Sequence, residues 1–458
     1  MSIITIQIGQ CGNQIGTGMF SLLSQDALQP PQFTSHDSTE NIVYKQDTME
    51  KYFTEKKNGS IEAKAVLVDM EPKVIQKCKQ TANQTGLWKY PSGAEYIQKR
   101  GSGNNWALGY YENGPDASRE VTELCRKEIE KCDHFTGFLV LMSLAGGTGS
   151  GLGTHVSHTL RDEYEDAIVA NHVVWPYSSG EVIVQNYNSV LTLSHLQHAS
   201  DIVIGEQNDH VHNICVKLLG IKNISFQHTN QVLAHKLASI LQPAYTHDYQ
   251  KVNPLYDLVQ SVATHPAYKL VSVKNIPHIS EQSMAYSTYV WPALLKHLRQ
   301  MLIADAALEE GVNWEVKVPL PSASGCPSDM RVEQDVSVYR EKFNKSIANL
   351  LIVRGKDLHH VETDAFKTHQ LYASVIPPPF CYHEWRQTRP FNRYEKSAAL
   401  VSNSQTFIRP MNDCIRKAWS MFNARAYIHQ YEKYGLTEND FIDSFGVVEQ
   451  VVADYTSI

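Results

Sequence analysis

Residues 145–151 read Ala-Gly-Gly-Thr-Gly-Ser-Gly, and this run constrains the fold more than any other feature. Four glycines in seven residues let a backbone turn tightly and gather several N–H groups on one concave surface. An apolar run at 138–145 precedes it, with the character of a buried strand. Leu152, Val156, Leu160 and Tyr164 follow at every fourth position. That spacing predicts a helix with a single apolar stripe against a sheet. Strand, glycine turn and helix N-terminus together suit a phosphate chain, because free amides and the helix's partial positive charge converge there. A plain strand-to-helix turn needs only one or two glycines.

The first half alternates strand-like runs, at 3–8, 64–70, 137–144, 172–174 and 201–204, with longer segments of helical periodicity. Such alternation predicts an α/β fold with a mainly parallel, Rossmann-like sheet covered on both faces, and ligand loops at its C-terminal edge. Phe226–Leu241 is apolar on most sides and predicts a central helix, ended by Pro243. Further strands are expected at 269–273 and 349–353, a Pro/Ser/Gly loop at 319–327, and a break at Pro377-Pro378-Pro379. Beyond Ser404 the pattern is almost wholly helical. The expected organisation is an N-terminal nucleotide domain at 1–225 and a central helix at 226–245. A smaller intermediate α/β domain at 246–380 and a C-terminal helical region at 381–458 complete it.

A length of 458 residues exceeds one ordinary core. The net charge of -7 gives no basic bias, which argues against a nucleic-acid partner. Eight cysteines contain no C-x-x-C pair and read as reduced thiols. Residues 2–8 begin directly as a strand, and the run at 138–145 is too short to span a bilayer. These features lead us to expect a cytoplasmic protein with no membrane partner.

Three other loops carry polar chemistry. Residues 9–16, Gly-Gln-Cys-Gly-Asn-Gln-Ile-Gly, form the first strand-to-helix turn and contain no G-x-G-x-x-G; no P-loop lysine follows any glycine run. Residues 101–106, Gly-Ser-Gly-Asn-Asn-Trp, are small and amide-rich. Residues 66–72, Val-Leu-Val-Asp-Met-Glu-Pro, end a strand with two carboxylates, suited either to a hydrated Mg²⁺ or to a helix start. Asn208 and Asn230 each offer the donor and acceptor that a guanine edge requires, and each alone also reads as a capping asparagine. Phe226 could stack on a base or belong to the core.

These four loops, in this order and spacing, resemble the tubulin family, and Arg425-Ala-Tyr-Ile-His-Gln-Tyr extends the resemblance to nearly the whole chain. Residues 175–188 and 275–281 resemble one minor branch of that family. The resemblance implies a tubulin-like fold holding GTP or GDP with Mg²⁺. Gln10 and Cys11 would approach the phosphates, and Gln14 the base side. Asn104, Ser143, Ala145, Gly146, Gly147, Thr148, Gly149, Ser150 and Gly151 would hold phosphates. Glu71 would face the Mg²⁺, directly or through water. Asn208 and Asn230 would read guanine, with Phe226 stacking where relatives commonly carry tyrosine.

Three departures stand out. Ala145 replaces the first glycine of the loop, which is acceptable only without a positive φ. Gln185 stands where alpha- and beta-tubulins carry a ribose-contacting glutamate. Asp257 falls where the family keeps a glutamate that activates water on a neighbour's nucleotide, and it is one methylene shorter. The alternative for Asp257 is an exposed helix-start acid.

The implied function is a cytoskeletal subunit, a weak GTPase completed by a neighbour, that supports the microtubule walls of centrioles, basal bodies and cilia. Its implied partners are other tubulins, epsilon-tubulin first and then alpha- or beta-tubulin, with centriolar proteins. The alternative is a GTP-binding scaffold without hydrolysis, acting as a soluble assembly or capping factor. A dehydrogenase reading lacks the dinucleotide glycines and any catalytic triad.

Overall fold

The first seven-residue strand is buried along its whole length, as a central parallel strand must be when both faces are covered. The computed structural model describes residues 1–29, 38–180, 182–280, 289–319 and 343–458. The expected loop at 319–327 lies, after Pro319, outside the described residues, as do Glu181 of the 175–188 segment and Glu281 of the 275–281 segment.

The strands are β1 (Ser2–Ile8), β2 (Phe53–Glu55), β3 (Ile61–Ala63), β4 (Ala65–Asp69), β5 (Glu95–Ile97), β6 (Phe135–Ser143) and β7 (Ile168–Trp175). They continue as β8 (Ile202–Gln207), β9 (Tyr245–Thr246), β10 (Leu270–Ile276), β11 (Ser346–Gly355), β12 (Tyr382–Gln387) and β13 (Lys396–Ser404). Eleven of them join one sheet in the order β5-β4-β1-β6-β7-β8-β10-β13-β11-β12-β9, while β2 and β3 pair separately. From β5 to β10 every neighbour is parallel. Strand β13 then runs antiparallel to both β10 and β11. The fold is thus mixed α/β with a large, mostly parallel sheet, as expected.

The helices are α1 (Gly9–Leu28), α2 (Thr39–Tyr52), α3 (Pro72–Thr85), α4 (Asn113–Ile129), α5 (Gly153–Glu163), α6 (Gln185–Ala199) and α7 (Asn208–Asn213). After them come α8 (Phe226–Leu241), α9 (Pro254–Val262), α10 (Trp291–Ile303), α11 (Ile408–Asn423), α12 (Ile428–Glu432) and α13 (Glu438–Thr456).

Two differences from the sequence reading have clear physical causes. Strand β7 is longer than the expected 172–174, because the polar Asn171 and His172 that interrupt its apolar run are both buried. The Asn171 amide donates to Ser157 Oγ at 2.9 Å, and Ser200 Oγ donates to Asn171 Oδ1 at 2.8 Å. The region expected to be helical from 381 instead carries β12 and β13 first, and its helices begin at Ile408. Strand β13 is Ser- and Ala-rich, so it lacks the apolar contrast that marks a strand, yet its last eight residues are all buried.

Helix α8 occupies the span expected of the central helix. Val232, Leu233, Ala234, Leu237, Ala238, Ile240 and Leu241 are all buried, as contact on several sides requires. A Cβ at Gly18 of α1 would lie 3.1 Å from the Ala234 Cβ, so these two helices pack closely. At its C-terminus, the buried Arg354 donates to the carbonyls of Ser239, Pro243 and Gln242 (3.3, 2.5 and 2.6 Å), capping otherwise unpaired acceptors.

Candidate functional site

Because β4, β1, β6, β7 and β8 run parallel, their C-terminal ends share one edge, and the loops singled out in the sequence gather there. Helix α1 begins at Gly9 immediately after β1 and carries Gln10, Cys11 and Gln14. Gly9 has φ +70, and a Cβ there would lie 3.0 Å from Gly149 N. The first turn and the glycine loop therefore touch backbone to backbone. Gln10 is exposed, and Cys11 and Gln14 are half-buried. Burial pushes the Cys11 thiol up to about 12, so it stays protonated and uncharged.

Strand β6 ends at Ser143, and Gly147–Leu152 form one wide helical turn leading into α5. None of the four loop glycines has a positive φ. Three of them, Gly147, Gly149 and Gly151, are needed for space. A Cβ at Gly147 would meet Ser102 O at 2.6 Å and Asn105 N at 2.8 Å, and one at Gly151 would meet Trp106 O at 2.1 Å. A Cβ at Gly149 would lie 2.5 Å from Ser143 Oγ. Ala145 also has an ordinary negative φ, so its departure from glycine costs no backbone strain. The Thr148 and Ser102 hydroxyls are 3.0 Å apart, and Ser150 Oγ donates to Gly146 O. Beside Gly146 lies the side chain of Asn104, an exposed residue held at φ 53.

Strand β4 delivers the two carboxylates. Glu71 is exposed, and its Oε1 lies 3.1 Å from where a Gly101 Cβ would stand. Asp69 is buried, accepts the Glu71 N–H at 3.3 Å, and leaves Oδ2 without a hydrogen-bond partner among the described residues. Burial pushes its carboxyl up to about 6. An unpaired buried carboxylate oxygen beside an exposed glutamate is a donor set that fits a hard divalent cation. Among the described residues, no group of three or more His, Cys, Asp or Glu forms a metal site.

On the other side, Asn230 of α8 donates from Nδ2 to Gln14 Oε1 at 2.8 Å. These two residues, 216 positions apart, form one polar pair. Phe226 begins α8 and is 49% exposed, which removes the core reading and leaves it open to stacking. Asn208 is half-buried at the first position of α7, directly after β8. Gln185 begins α6, is buried, and donates to Tyr177 O at 3.0 Å, so its amide braces the preceding turn.

Asp257 stands apart. Its Oδ2 accepts the Asn253 N–H at 2.7 Å at the start of α9, and Asn253 Nδ2 donates to Thr136 Oγ1 at 3.2 Å. Thr136 lies at the beginning of β6, whose other end carries the glycine loop. Asp257 is therefore on the sheet edge opposite the gathered loops, and burial raises its carboxyl above the usual range.

Two residues of the site escaped the sequence reading. Asn13 is buried and donates to Gly9 O (2.9 Å) and Val68 O (3.0 Å), fixing the end of β4 against the first turn. Asn188 is buried on α6 and donates to Asn104 O (2.8 Å) and Ala145 O (2.6 Å). Asn13 lies within residues 9–16 and Asn188 within 175–188, but a single helix asparagine carries no signal for a distant loop.

Residues 2–216 match the Tubulin/FtsZ family GTPase domain. The chain belongs to the tubulin family, and membership implies binding of guanine nucleotide. It is 50% identical to the tubulin delta chain of Homo sapiens over 463 residues and 48% identical to that of Mus musculus over 462, covering both chains completely. The tubulin beta-1 chain of Chondrus crispus is 25% identical over 458 residues, covering 99% of this chain and 93% of that one. The minor branch that residues 175–188 and 275–281 resemble is thus the delta chains. Among the described residues no helix is long and apolar enough to cross a membrane.

Proposed function

We propose that this chain is a delta-type tubulin that holds GTP or GDP with Mg²⁺ and supports the microtubule walls of centrioles, basal bodies and cilia. Its partners on this reading are other tubulins, with epsilon-tubulin the first choice, and centriolar proteins. One observation carries the nucleotide part: the contact of three loops, Gly9 against Gly149 and Gly147 against Ser102 and Asn105, at the C-terminal edge of a parallel sheet.

The amides of the first turn of residues 147–152 have no earlier helical turn to bond and are available to phosphate oxygens. Asp69 and Glu71 would hold the Mg²⁺, which when bound neutralises phosphate charge. Gln14 and Asn230 offer paired amides to a guanine edge, and the exposed Phe226 ring offers a stacking face. The neutral Gln185 amide supports the ribose side through the Tyr177 turn and adds no charge.

Hydrolysis would depend on a neighbour. At about 3.3 Å per residue, the nine residues of β6 separate Asp257's edge from its own loops by roughly 25 Å. Asp257 can serve only a nucleotide carried by another molecule. The second reading, a GTP-binding scaffold without hydrolysis, is favoured by the engagement of Asp257 Oδ2 with the Asn253 amide.

The nucleotide claim is tested by extracting bound nucleotide from the purified chain and from Thr148→Pro, which removes one loop amide. Guanine nucleotide in the parent and its loss from the variant are expected. An empty parent overturns the reading.

A further inference from the structure

Three side-chain hydrogen bonds fasten the connection between α11 and α13 to the layer that carries the loops. Asn105 Nδ2 donates to Gln430 O at 3.0 Å, the Tyr187 hydroxyl to Ala426 O at 3.2 Å, and the Tyr431 hydroxyl to Asn188 Oδ1 at 2.7 Å. This connection is the Arg-Ala-Tyr-Ile-His-Gln-Tyr segment, to which the proposed function gives no role. Arg425 and Tyr427 within it have φ of 52 and 62. Two left-handed, non-glycine residues so close together persist only where surrounding contacts over-determine them. The buried Ile428 and Tyr431 are such contacts.

Asn188 is the junction. Its amide nitrogen donates to Asn104 O and Ala145 O, and its oxygen accepts from Trp106 N at 3.2 Å and from Tyr431. Two donors and two acceptor positions are all a side-chain amide has, and all are used. One side chain thereby joins the loop at 101–106 to the glycine loop and holds Asn104 in its left-handed conformation. The orientation of that side chain is set from the C-terminal region by one phenolic hydroxyl.

We infer that Asn188 and Tyr431 are positioning residues for the phosphate-side loops, with Tyr431 acting through Asn188. The inference rests on the guanine-nucleotide reading of the site. Without the Tyr431 hydroxyl, Asn188 Oδ1 keeps only the longer bond from Trp106, and the amide is no longer held against both loop carbonyls.

The test uses the full chain and Mg²⁺-GTP, with Tyr431→Phe compared to Tyr187→Phe. Each variant loses one hydroxyl from the contacts of the same segment, but only the first touches Asn188, so a merely structural role would affect both alike. Tyr431→Phe should weaken GTP binding about tenfold, the equivalent of one buried hydrogen bond, while Tyr187→Phe leaves it at the parent value. Parent-like GTP affinity in Tyr431→Phe, or equal weakening in both variants, overturns the inference. A parent chain that binds no GTP instead removes the reading of the site on which the inference rests.

Discussion

Single atoms decide the geometry of the glycine loop. Gly147 is hemmed in by backbone atoms of Ser102 and Asn105, which cannot rotate aside as a side chain would. Gly147→Ala should therefore push the two loops apart. Overpacking of this kind costs about 1–3 kcal/mol, so GTP affinity should fall roughly ten- to a hundredfold. Gly446→Ala, where a Cβ meets nothing within 4 Å, should leave it unchanged. Equilibrium binding of the two variants checks this. A second residue-scale prediction concerns acid. His172 is buried in β7, and burial pushes its imidazole down to about 3. Its folded value is lower than its unfolded one, so the unfolded chain binds more protons between about pH 3 and 6.5. Stability should fall as pH drops through that window. His172→Gln should flatten the dependence by at most about 1.4 kcal/mol per pH unit, measured by urea unfolding at pH 4 to 6.

At the scale of elements, a buried network clamps the second half of the chain to the first. Arg389 follows β12 and is 1% exposed; it pairs with Asp26 of α1 at 3.3 Å, donates to Asn41 of α2 at 2.7 Å, and lies 4.0 Å from the Tyr44 ring centroid. Tyr44 and Gln242 also donate to Asp26, at 2.6 and 2.9 Å. Removing one member of such a pair leaves a buried charge uncompensated. Arg389→Met should cost about 3–5 kcal/mol in chemical denaturation, and adding Asp26→Asn should recover part of it. Local pattern made α8 and strands β1, β4, β6 and β8 readable, because apolar period and length agreed there. The strand β13 was not readable, since Lys-Ser-Ala-Ala-Leu-Val-Ser-Asn-Ser gains its burial only from β10 and β11 on either side. The site divides in the same way. Its glycines and carboxylates announce themselves by type and spacing. The Gln14–Asn230 pair and the Asn188–Tyr431 bond, 216 and 243 positions apart, exist only once the sheet order is known.

For the whole molecule, the decisive fact is that the gathered loops and Asp257 lie at opposite ends of the parallel strands of the sheet. On the proposed reading, a subunit built this way would carry its nucleotide at one end and an acid at the other. Isolated chains should hydrolyse GTP very slowly, and stacking end to end on another tubulin should raise turnover. General-base assistance is worth about 10²–10⁴-fold, so Asp257→Asn should remove most of the stimulated rate without changing the chain's own GTP affinity. Equal stimulated rates with and without that substitution would leave Asp257 as a helix-start brace to the Asn253 amide. The account as a whole turns on whether the gathered loops hold guanine nucleotide, and the most direct measurement is competition of GTP against ATP for the purified chain in Mg²⁺. The amide pair of Gln14 and Asn230 predicts strong preference for GTP, with ATP displacing it poorly. Equal displacement by the two nucleotides, or binding of neither, would contradict it.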